Sequence, residues 1–361
     1  MSRSASPIQE QQVLPGRRHS FSMTQMAESG PLGVVVPPRR KMVRFAAMQP
    51  LLNELALMFD LDYEIRGVRL GDLVEQAFAR VDEDTLEDWG TPGSTREFKV
   101  TRQGNLDFYY APHLFPDMDA VLKLGHKLQF HLLPREIPAE APLSVSAVLE
   151  SYCHLSGDLF GWQMLADGRL LVWIVDISGH GVRAGLASAV LRVLVDNLRQ
   201  RGQVASLTRE LNETFNGCLR EDRNNMYATG FFMAVDPDGT AAYTLAGHPP
   251  VLLRRADGSV DELSGGGLPL GMFHDSEYEA RELQLDAGDM LLLYTDGVLE
   301  STDTAGDCFG GERLRKVLAS AGPTPAELSS SLFRAISRHQ NMDELEDDIT
   351  FVCLRMEGRR P

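Results

Sequence analysis

Three apolar runs of strand length in this chain each begin or end at an aspartate, and this pattern constrains the fold more than any other feature. LLVWIVD ends at Asp176, LLLYTD ends at Asp296, and Asp347 and Asp348 directly precede ITFVCL. Apolar runs of this length are typical of buried strands. They deliver carboxylates to the rim of a core, where like charges repel each other unless cations neutralise them.

A further acidic residue, Asp158, follows the turn residues Ser156 and Gly157. Carboxylate oxygens are hard ligands, which suit magnesium or manganese better than zinc. Each of these aspartates taken alone is more often a structural turn residue, because aspartate is common at turns. Taken together and in this order, they indicate a site for divalent cations.

The charge of the chain excludes some classes of partner. With 51 acidic and 35 basic side chains, the formal net charge is -16. Nucleic acids and anionic membranes attract basic proteins, so we expect neither to be a partner. The sequence contains no apolar run long enough to span a bilayer, no secretory signal and no CxxC pair among its four cysteines. We therefore expect a cytoplasmic protein.

Composition and periodicity divide the chain into four segments. Residues 1–41, rich in Ser, Pro, Gly and Gln, are predicted to be a disordered tail. Residues 42–116 are predicted to form a small α/β domain of two helices and a hairpin, which could be regulatory or sensory. A linker helix is predicted within 117–136, and 137–357 carries strand and helix patterns that imply an α+β layered fold.

Apolar spacing predicts the individual elements of the last segment. Strands are expected at 143–152, 170–177, 231–235, 241–246, 251–254, 290–295 and 349–354, and a helix at 182–198. Thr324, Pro325 and Glu327 have the spacing of a capping box, which predicts the start of another helix.

Six short motifs occur in order along this part of the chain. They are SGD at 156–158, DISGHG at 176–181, AGHPP at 246–250, GLPLG at 267–271, LYTDGVLE at 293–300 and DDIT at 347–350. Through these motifs, residues 130–357 resemble the metal-dependent PPM serine/threonine phosphatases, and most closely their bacterial SpoIIE-like branch, which includes stress-response phosphatases of the RsbU kind. The segment HKLQFHLLPREIP, at 126–138, is similar to the linker that precedes such domains.

The resemblance implies an αββα sandwich with two divalent cations, manganese or magnesium, between its sheets. Carried over by motif, Asp176 would bridge both cations and the carbonyl of Ile177 would complete one site. Asp296 and Asp347 would hold one cation, and Asp158 would bind near the same cluster. These five positions are the metal-site residues that the sequence predicts.

Four other positions stay open or depart from the family. Asp348 is less expected as a ligand than the residue before it, because the family often has an amide there. Ser178 stands where related eukaryotic phosphatases have a histidine that is proposed as a general acid. His180 and His248 could act at the site or simply pack their turns, and packing is the plainer interpretation for both.

The function implied by the resemblance is hydrolysis of phosphoserine or phosphothreonine on a partner protein, through a metal-bridging hydroxide. The catalytic carboxylates would be Asp176, Asp296 and Asp347. In this branch the substrate is typically a phosphorylated STAS-type anti-sigma-factor antagonist. The alternatives are a pseudophosphatase or a scaffold that binds the same partner without turnover.

The position of the linker helix predicts regulation. Val121, Leu124 and Leu128 are three and four residues apart, so they share one helix face. In the resembled branch, such linkers often pair between protomers and control the metal site, so we expect a homodimer through this apolar stripe. In the other interpretation, the stripe packs on its own catalytic domain.

Overall fold

A computed structural model describes residues 20–22, 58–65, 68–72, 74, 99–103, 106–110, 125–126, 129–134, 136–197, 202–219, 226–340 and 345–357. Most of the predicted tail and N-terminal domain therefore lies outside the described residues. So do Val121, Leu124 and Leu128 of the linker stripe.

The secondary structure of the described residues is mainly antiparallel β-strand. The strands are β1 (Ser20–Ser22), β2 (Glu64–Ile65), β3 (Val68–Arg69), β4 (Lys99–Gln103), β5 (Leu106–Tyr110), β6 (Leu143–Glu150), β7 (Leu159–Met164), β8 (Leu170–Ile177), β9 (Ala228–Val235), β10 (Thr240–Ala246), β11 (Val251–Arg254), β12 (Val260–Leu263), β13 (Arg281–Gln284), β14 (Met290–Tyr294) and β15 (Ile349–Met356). The principal helices are α1 (Val182–Asn197), α2 (Val204–Cys218), α3 (Asp296–Glu300), α4 (Gly310–Ser320) and α5 (Pro325–His339).

Two large antiparallel sheets form the centre of the molecule. One has the strand order β1-β6-β15-β14-β11-β12, and the other has the order β13-β10-β9-β8-β7. Helices α1 and α2 contact the five-stranded sheet, whereas α4 and α5 contact the six-stranded sheet. Strand β8 is buried at every position from Leu170 to Val175, so both of its faces are covered.

Alternation along β14 explains the layering. Leu291 and Leu293 belong to the core cluster shared with the five-stranded sheet. Met290 and Leu292 belong to a second cluster with helices α4 and α5. Successive strand residues point to opposite faces of the sheet. One apolar run therefore contributes both to the core between the two sheets and to the core beneath helices α4 and α5. The αββα sandwich expected from the resemblance is confirmed.

Most of the predicted elements are present, and some observed elements were not predicted. The hairpin β4–β5, helix α1 and the capping box of Thr324 and Glu327 are confirmed. Strand β9 starts at Ala228, earlier than the predicted residue 231. Helix α2 was not predicted, although its buried Val204, Leu207 and Leu211 recur at helical spacing.

Part of the predicted N-terminal domain packs on the two-sheet region. Met58, Phe59 and Leu70 are fully buried in the main core. The backbone N–H of Asp60 donates to the carbonyl of Cys218 at the end of α2 (2.9 Å). None of the described helices is both long and apolar enough to cross a membrane.

Candidate metal centre

Strand β8 carries the first predicted ligand to its end, where a loop approaches closely. Asp176 is half-buried and Ile177 is fully buried. The N–H of Ile177 donates to the carbonyl of Gly157 (3.3 Å). A Cβ atom at position 157 would lie 2.9 Å from the carbonyl oxygen of Ile177, so only glycine permits this approach. The backbone oxygen of Ile177 therefore lies beside the loop that carries Asp158.

The end of β14 meets the start of β15 in a similarly close contact. Thr295 precedes helix α3, and Asp296 is the first residue of that helix. A Cβ atom on Gly297 would overlap the carbonyl oxygen of Asp348. Because Gly297 has no side chain, the two backbones come into contact. The neighbouring carboxylates then lie close enough for the charge of Asp296 to raise the pKa of Asp347.

Asp348 joins strand β15 to the loop at 151–158 through three hydrogen bonds. The N–H of Tyr152 donates to Oδ1 (2.7 Å). The hydroxyl of Ser156 and the N–H of Gly157 both donate to Oδ2 (2.7 and 2.8 Å). Both carboxylate oxygens are thus occupied by protein donors, which suits a residue that positions the loop better than a residue that binds a cation.

Asp158 is the most enclosed of the four predicted aspartate ligands, with 2% of its surface exposed. The hydroxyl of Thr295 donates to its Oδ2 (2.8 Å), and its own N–H donates to the hydroxyl of Ser156 (3.0 Å). Burial raises its pKa well above the usual range, and the charges of Asp176 and Asp348 raise it further. A carboxyl group in this position keeps its proton unless positive charge arrives.

The pKa values of the strand-end carboxylates show that their charges act on one another. Burial and then the charges of Asp296, Asp347 and Asp348 raise the pKa of Asp176 to about 8. Burial also raises the pKa of Asp347 to about 6, helped by the charges of Asp348 and Asp296. The structure therefore brings together the side chains of all four predicted aspartate ligands.

The oxygen donors of the four aspartates and of Ile177 are chemically suited to divalent cations, although their arrangement is not yet that of a complete coordination sphere. Among the described residues, no three His, Cys, Asp or Glu side chains already have the arrangement of a metal site. Bare carboxylates repel and take up protons, whereas a bound cation attracts them and lowers their pKa values. Partly buried oxygen donors of like charge are suited to magnesium or manganese.

A residue of the linker supports the same loop, and the sequence analysis gave it no role. Gln129 is 2% exposed. Its Oε1 accepts from the N–H of Ser156 (2.9 Å), and its Nε2 donates to the hydroxyl of Ser188 on α1 (2.7 Å). Beside it, Nδ1 of His126 lies 2.6 Å from the carbonyl oxygen of His154. Lys127 and His131 nearby are also polar, so the sequence carried no local signal that singled out Gln129.

Besides Asp348, the three other positions that the sequence analysis left open or found to depart from the family have distinct environments. His180 is exposed, and its ring meets the ring of Tyr152 edge-on at 5.4 Å. His248 is buried beside Phe231, and burial lowers its pKa to about 4. The hydroxyl of Ser178 accepts from the N–H of Tyr227 (3.0 Å). His248 therefore has the environment of a packing residue, whereas His180 lies on the solvent side of the turn.

Comparison with known proteins gives consistent matches over more than half of the chain. Residues 166–357 match the family model described as Stage II sporulation protein E (SpoIIE). Protein IcfG of Synechocystis sp. is 27% identical over 259 residues, which cover 64% of this chain and 41% of that protein. Phosphoserine phosphatase RsbP of Bacillus subtilis is 26% identical over 237 residues, covering 64% and 57% respectively. The chain thus spans about half the length of these two relatives.

A solved structure shares the fold. The SiaA-PP2C domain of Pseudomonas aeruginosa superposes with a TM-score of 0.58 at 22% identity, covering 66% of this chain and 97% of that domain. At this level of identity, the likeness concerns the fold alone, and it agrees with the two-sheet sandwich described above.

The electrostatics of the site predict how stability depends on pH and metal. The pKa of Asp176 is raised in the folded state, so the folded protein holds a proton that the unfolded chain has lost between about pH 4 and about pH 8. In chelator, this group should therefore make the protein less stable as pH rises through that window. Asp176→Asn should remove this loss of stability, because asparagine does not ionise. It should increase the free energy of unfolding at pH 8 by on the order of 1–3 kcal/mol.

The measurement is urea denaturation in EDTA at pH 5 and pH 8, repeated with manganese. Asp286→Asn, at an exposed position, is the matched control. It should leave the urea denaturation curves unchanged, both in EDTA and with manganese. Manganese should stabilise the wild type and the control but not Asp176→Asn. A variant that is less stable than the wild type in EDTA at pH 8, yet still stabilised by manganese, would contradict the assignment.

Proposed function

This chain belongs to the SpoIIE family, and we propose that it is a metal-dependent phosphatase that hydrolyses phosphoserine or phosphothreonine on a partner protein. The observation that carries the proposal is the convergence of Asp158, Asp176, Asp296 and Asp347 at one end of the two sheets, where burial and nearby negative charge raise the pKa values of Asp158, Asp176 and Asp347. The phosphoserine phosphatase RsbP, which matches over 64% of this chain, supports the same activity.

The residues of the chain divide into those that would hold cations and those that fix their positions. Asp158, Asp176, Asp296, Asp347 and the carbonyl of Ile177 would hold two cations, manganese or magnesium. Bound cations of this kind supply an activated water and stabilise charge on the attacking and leaving oxygens.

The positioning residues act by hydrogen bonding. Thr295 orients the carboxylate of Asp158, and Ser156 links that residue to Asp348. Burial of this network excludes bulk water, so a bound cation would interact with the carboxylates in surroundings of low dielectric constant, where the attraction is stronger than in water. His180 remains exposed on the turn that follows Asp176, where a phosphorylated segment could reach it.

The substrate that we propose is a phosphorylated STAS-type protein in the cytoplasm. The support is the resemblance to the RsbU kind of phosphatase and the match to RsbP. The strongly acidic chain, with a formal net charge of -16, fits a protein partner better than nucleic acid.

The activity can be tested with a phosphoserine peptide and with p-nitrophenyl phosphate. Turnover of both should require manganese or magnesium and should vanish in EDTA. Asp296→Asn and Asp347→Asn should each lower kcat by roughly a hundredfold or more, because each removes a charged ligand. Asp286→Asn should leave kcat unchanged, and full activity in chelator would refute the mechanism. A folded wild type that binds manganese without turning over either substrate would favour the pseudophosphatase.

We also propose that the linker controls the metal site. Gln129 makes the contact between the linker and the loop that carries Asp158. Its amide holds the backbone of Ser156, whose hydroxyl donates to Asp348 and whose neighbour Asp158 is a proposed ligand. A movement of the linker helix would therefore move the loop that carries one ligand.

Gln129→Leu should keep the fold but raise the manganese concentration that half-saturates activity by about tenfold. The reason is that the buried N–H of Ser156 loses its acceptor and the loop loses its fixed position. His131→Gln, on the same helix and half-buried, is the control. A Gln129→Leu protein with lower thermal stability but an unchanged manganese dependence would show that the contact is merely structural.

The proposed homodimer rests on Val121, Leu124 and Leu128, which lie outside the described residues. Burial of an exposed leucine contributes roughly 1.5–3 kcal/mol, so several such contacts could hold a dimer. Light scattering should give a dimer for the wild type and a monomer for Leu124→Glu/Leu128→Glu. A monomeric wild type would instead indicate that the stripe packs within one chain.

A further inference from the structure

The loop between β12 and β13 exposes most of the large apolar side chains found at the surface of the described residues. In that part of the chain, four large apolar residues are more than a third exposed. Three of them lie within this one loop: Leu268 (48%), Met272 (40%) and Phe273 (57%). We name these three residues the 268–273 patch. Single exposed apolar residues are ordinary, but a group in one loop indicates a contact surface.

The loop is held in place by a buried asparagine of helix α2. Asn212 is 0% exposed. Its Oδ1 accepts from the N–H of Gly271 (2.9 Å), and its Nδ2 donates to the carbonyls of Phe273 and His274 (2.9 Å each). A fourth hydrogen bond runs from Nδ2 of Asn216 to the carbonyl of Gly271 (2.7 Å). The patch therefore has a fixed backbone, which presents its side chains to solvent instead of folding them inward.

Strand pairing places the patch beside the candidate metal centre. Leu270 and Ala228 exchange two backbone hydrogen bonds (2.8 and 2.9 Å). Ala228 is in turn the register partner of Ile177, the residue that follows Asp176. Two strand spacings separate Leu270 from Ile177, which is about 10 Å. An extended peptide covers this distance in about three residues.

We propose that the 268–273 patch receives an apolar side chain of the phosphoprotein substrate, about three residues from the phosphorylated serine. The inference rests on the proposed phosphatase function and adds a specificity determinant to it. The patch would contribute to substrate binding and not to the chemical step, because it lies about two strands away from the carboxylates.

The size of the patch favours a substrate side chain over a second copy of this chain. Three side chains that are about half exposed offer on the order of 300 Å², whereas a stable interface buries about 800 Å² on each partner. A patch of this size fits one leucine, isoleucine or phenylalanine of a segment that binds transiently. The fixed backbone also suits this role, because a site that is already ordered loses little entropy on binding.

The test compares phosphoserine peptides that differ at one position. One series carries a leucine two, three or four residues before or after the phosphoserine, and the reference peptide has alanine at all these positions. With manganese, the wild type should hydrolyse the best leucine peptide with a KM roughly tenfold below that of the reference. Leu268→Ser/Phe273→Ser should lose this preference, while its kcat/KM for p-nitrophenyl phosphate stays unchanged.

Val68→Ser is the matched control, because Val68 is the fourth exposed apolar residue (38%) and lies on strand β3. It should keep the preference for leucine. A double variant that keeps the preference, or a wild type with no preference at any position, would overturn the proposal. A dimer that the double variant dissociates in light scattering, with peptide kinetics unchanged, would assign the patch to self-association and also overturn it.

The p-nitrophenyl phosphate reaction separates this inference from the proposed function. If the wild type hydrolyses that small ester but shows no leucine preference, the docking proposal fails and the phosphatase function stands. If the wild type hydrolyses neither the ester nor any peptide with manganese, both fail.

Discussion

Repulsion among partly buried carboxylates is the interaction on which the candidate site depends. Asp176 lies near the end of β8, Asp296 follows β14 and Asp347 precedes β15, and these three strands are buried along almost their whole length. The strands are packed in a sandwich, so the backbones cannot separate to relieve the repulsion. The carboxyl groups respond by holding protons, as the raised pKa values of Asp176 and Asp347 show. Divalent cations would relieve the same repulsion without any change in the fold.

The residues that position the site form one hydrogen-bonded unit. Asp348 connects strand β15 to the loop at 151–158, and Gln129 connects that loop to the linker. The 268–273 patch depends on a different support, the buried Asn212 of helix α2. The proposed regulation by the linker and the proposed recognition of substrate would therefore be separable by mutation, because they depend on different hydrogen bonds.

The strongest local patterns were enough to predict the central strands, helix α1 and the capping box of α5. Continuous apolar runs such as LLVWIVD identify strands that are buried on both faces, and the Thr324–Glu327 spacing identifies a helix start. Edge strands were missed because they carry no such pattern: β12 and β13 are short and mostly exposed. The packing of Met58 and Phe59 on the core was also missed, because a contact between distant segments leaves no periodic trace.

The sequence by itself determined which carboxylates stand at strand ends, since an apolar run followed by aspartate is a local feature. The tertiary structure decided that Asp158 and Asp176 of one sheet meet Asp296 and Asp347 of the other. It also gave Asp348 its three hydrogen bonds to a loop more than 190 positions away in the sequence. Local periodicity specifies which face a residue occupies. Which faces come together is decided only when burial of the whole core fixes the two sheets against each other.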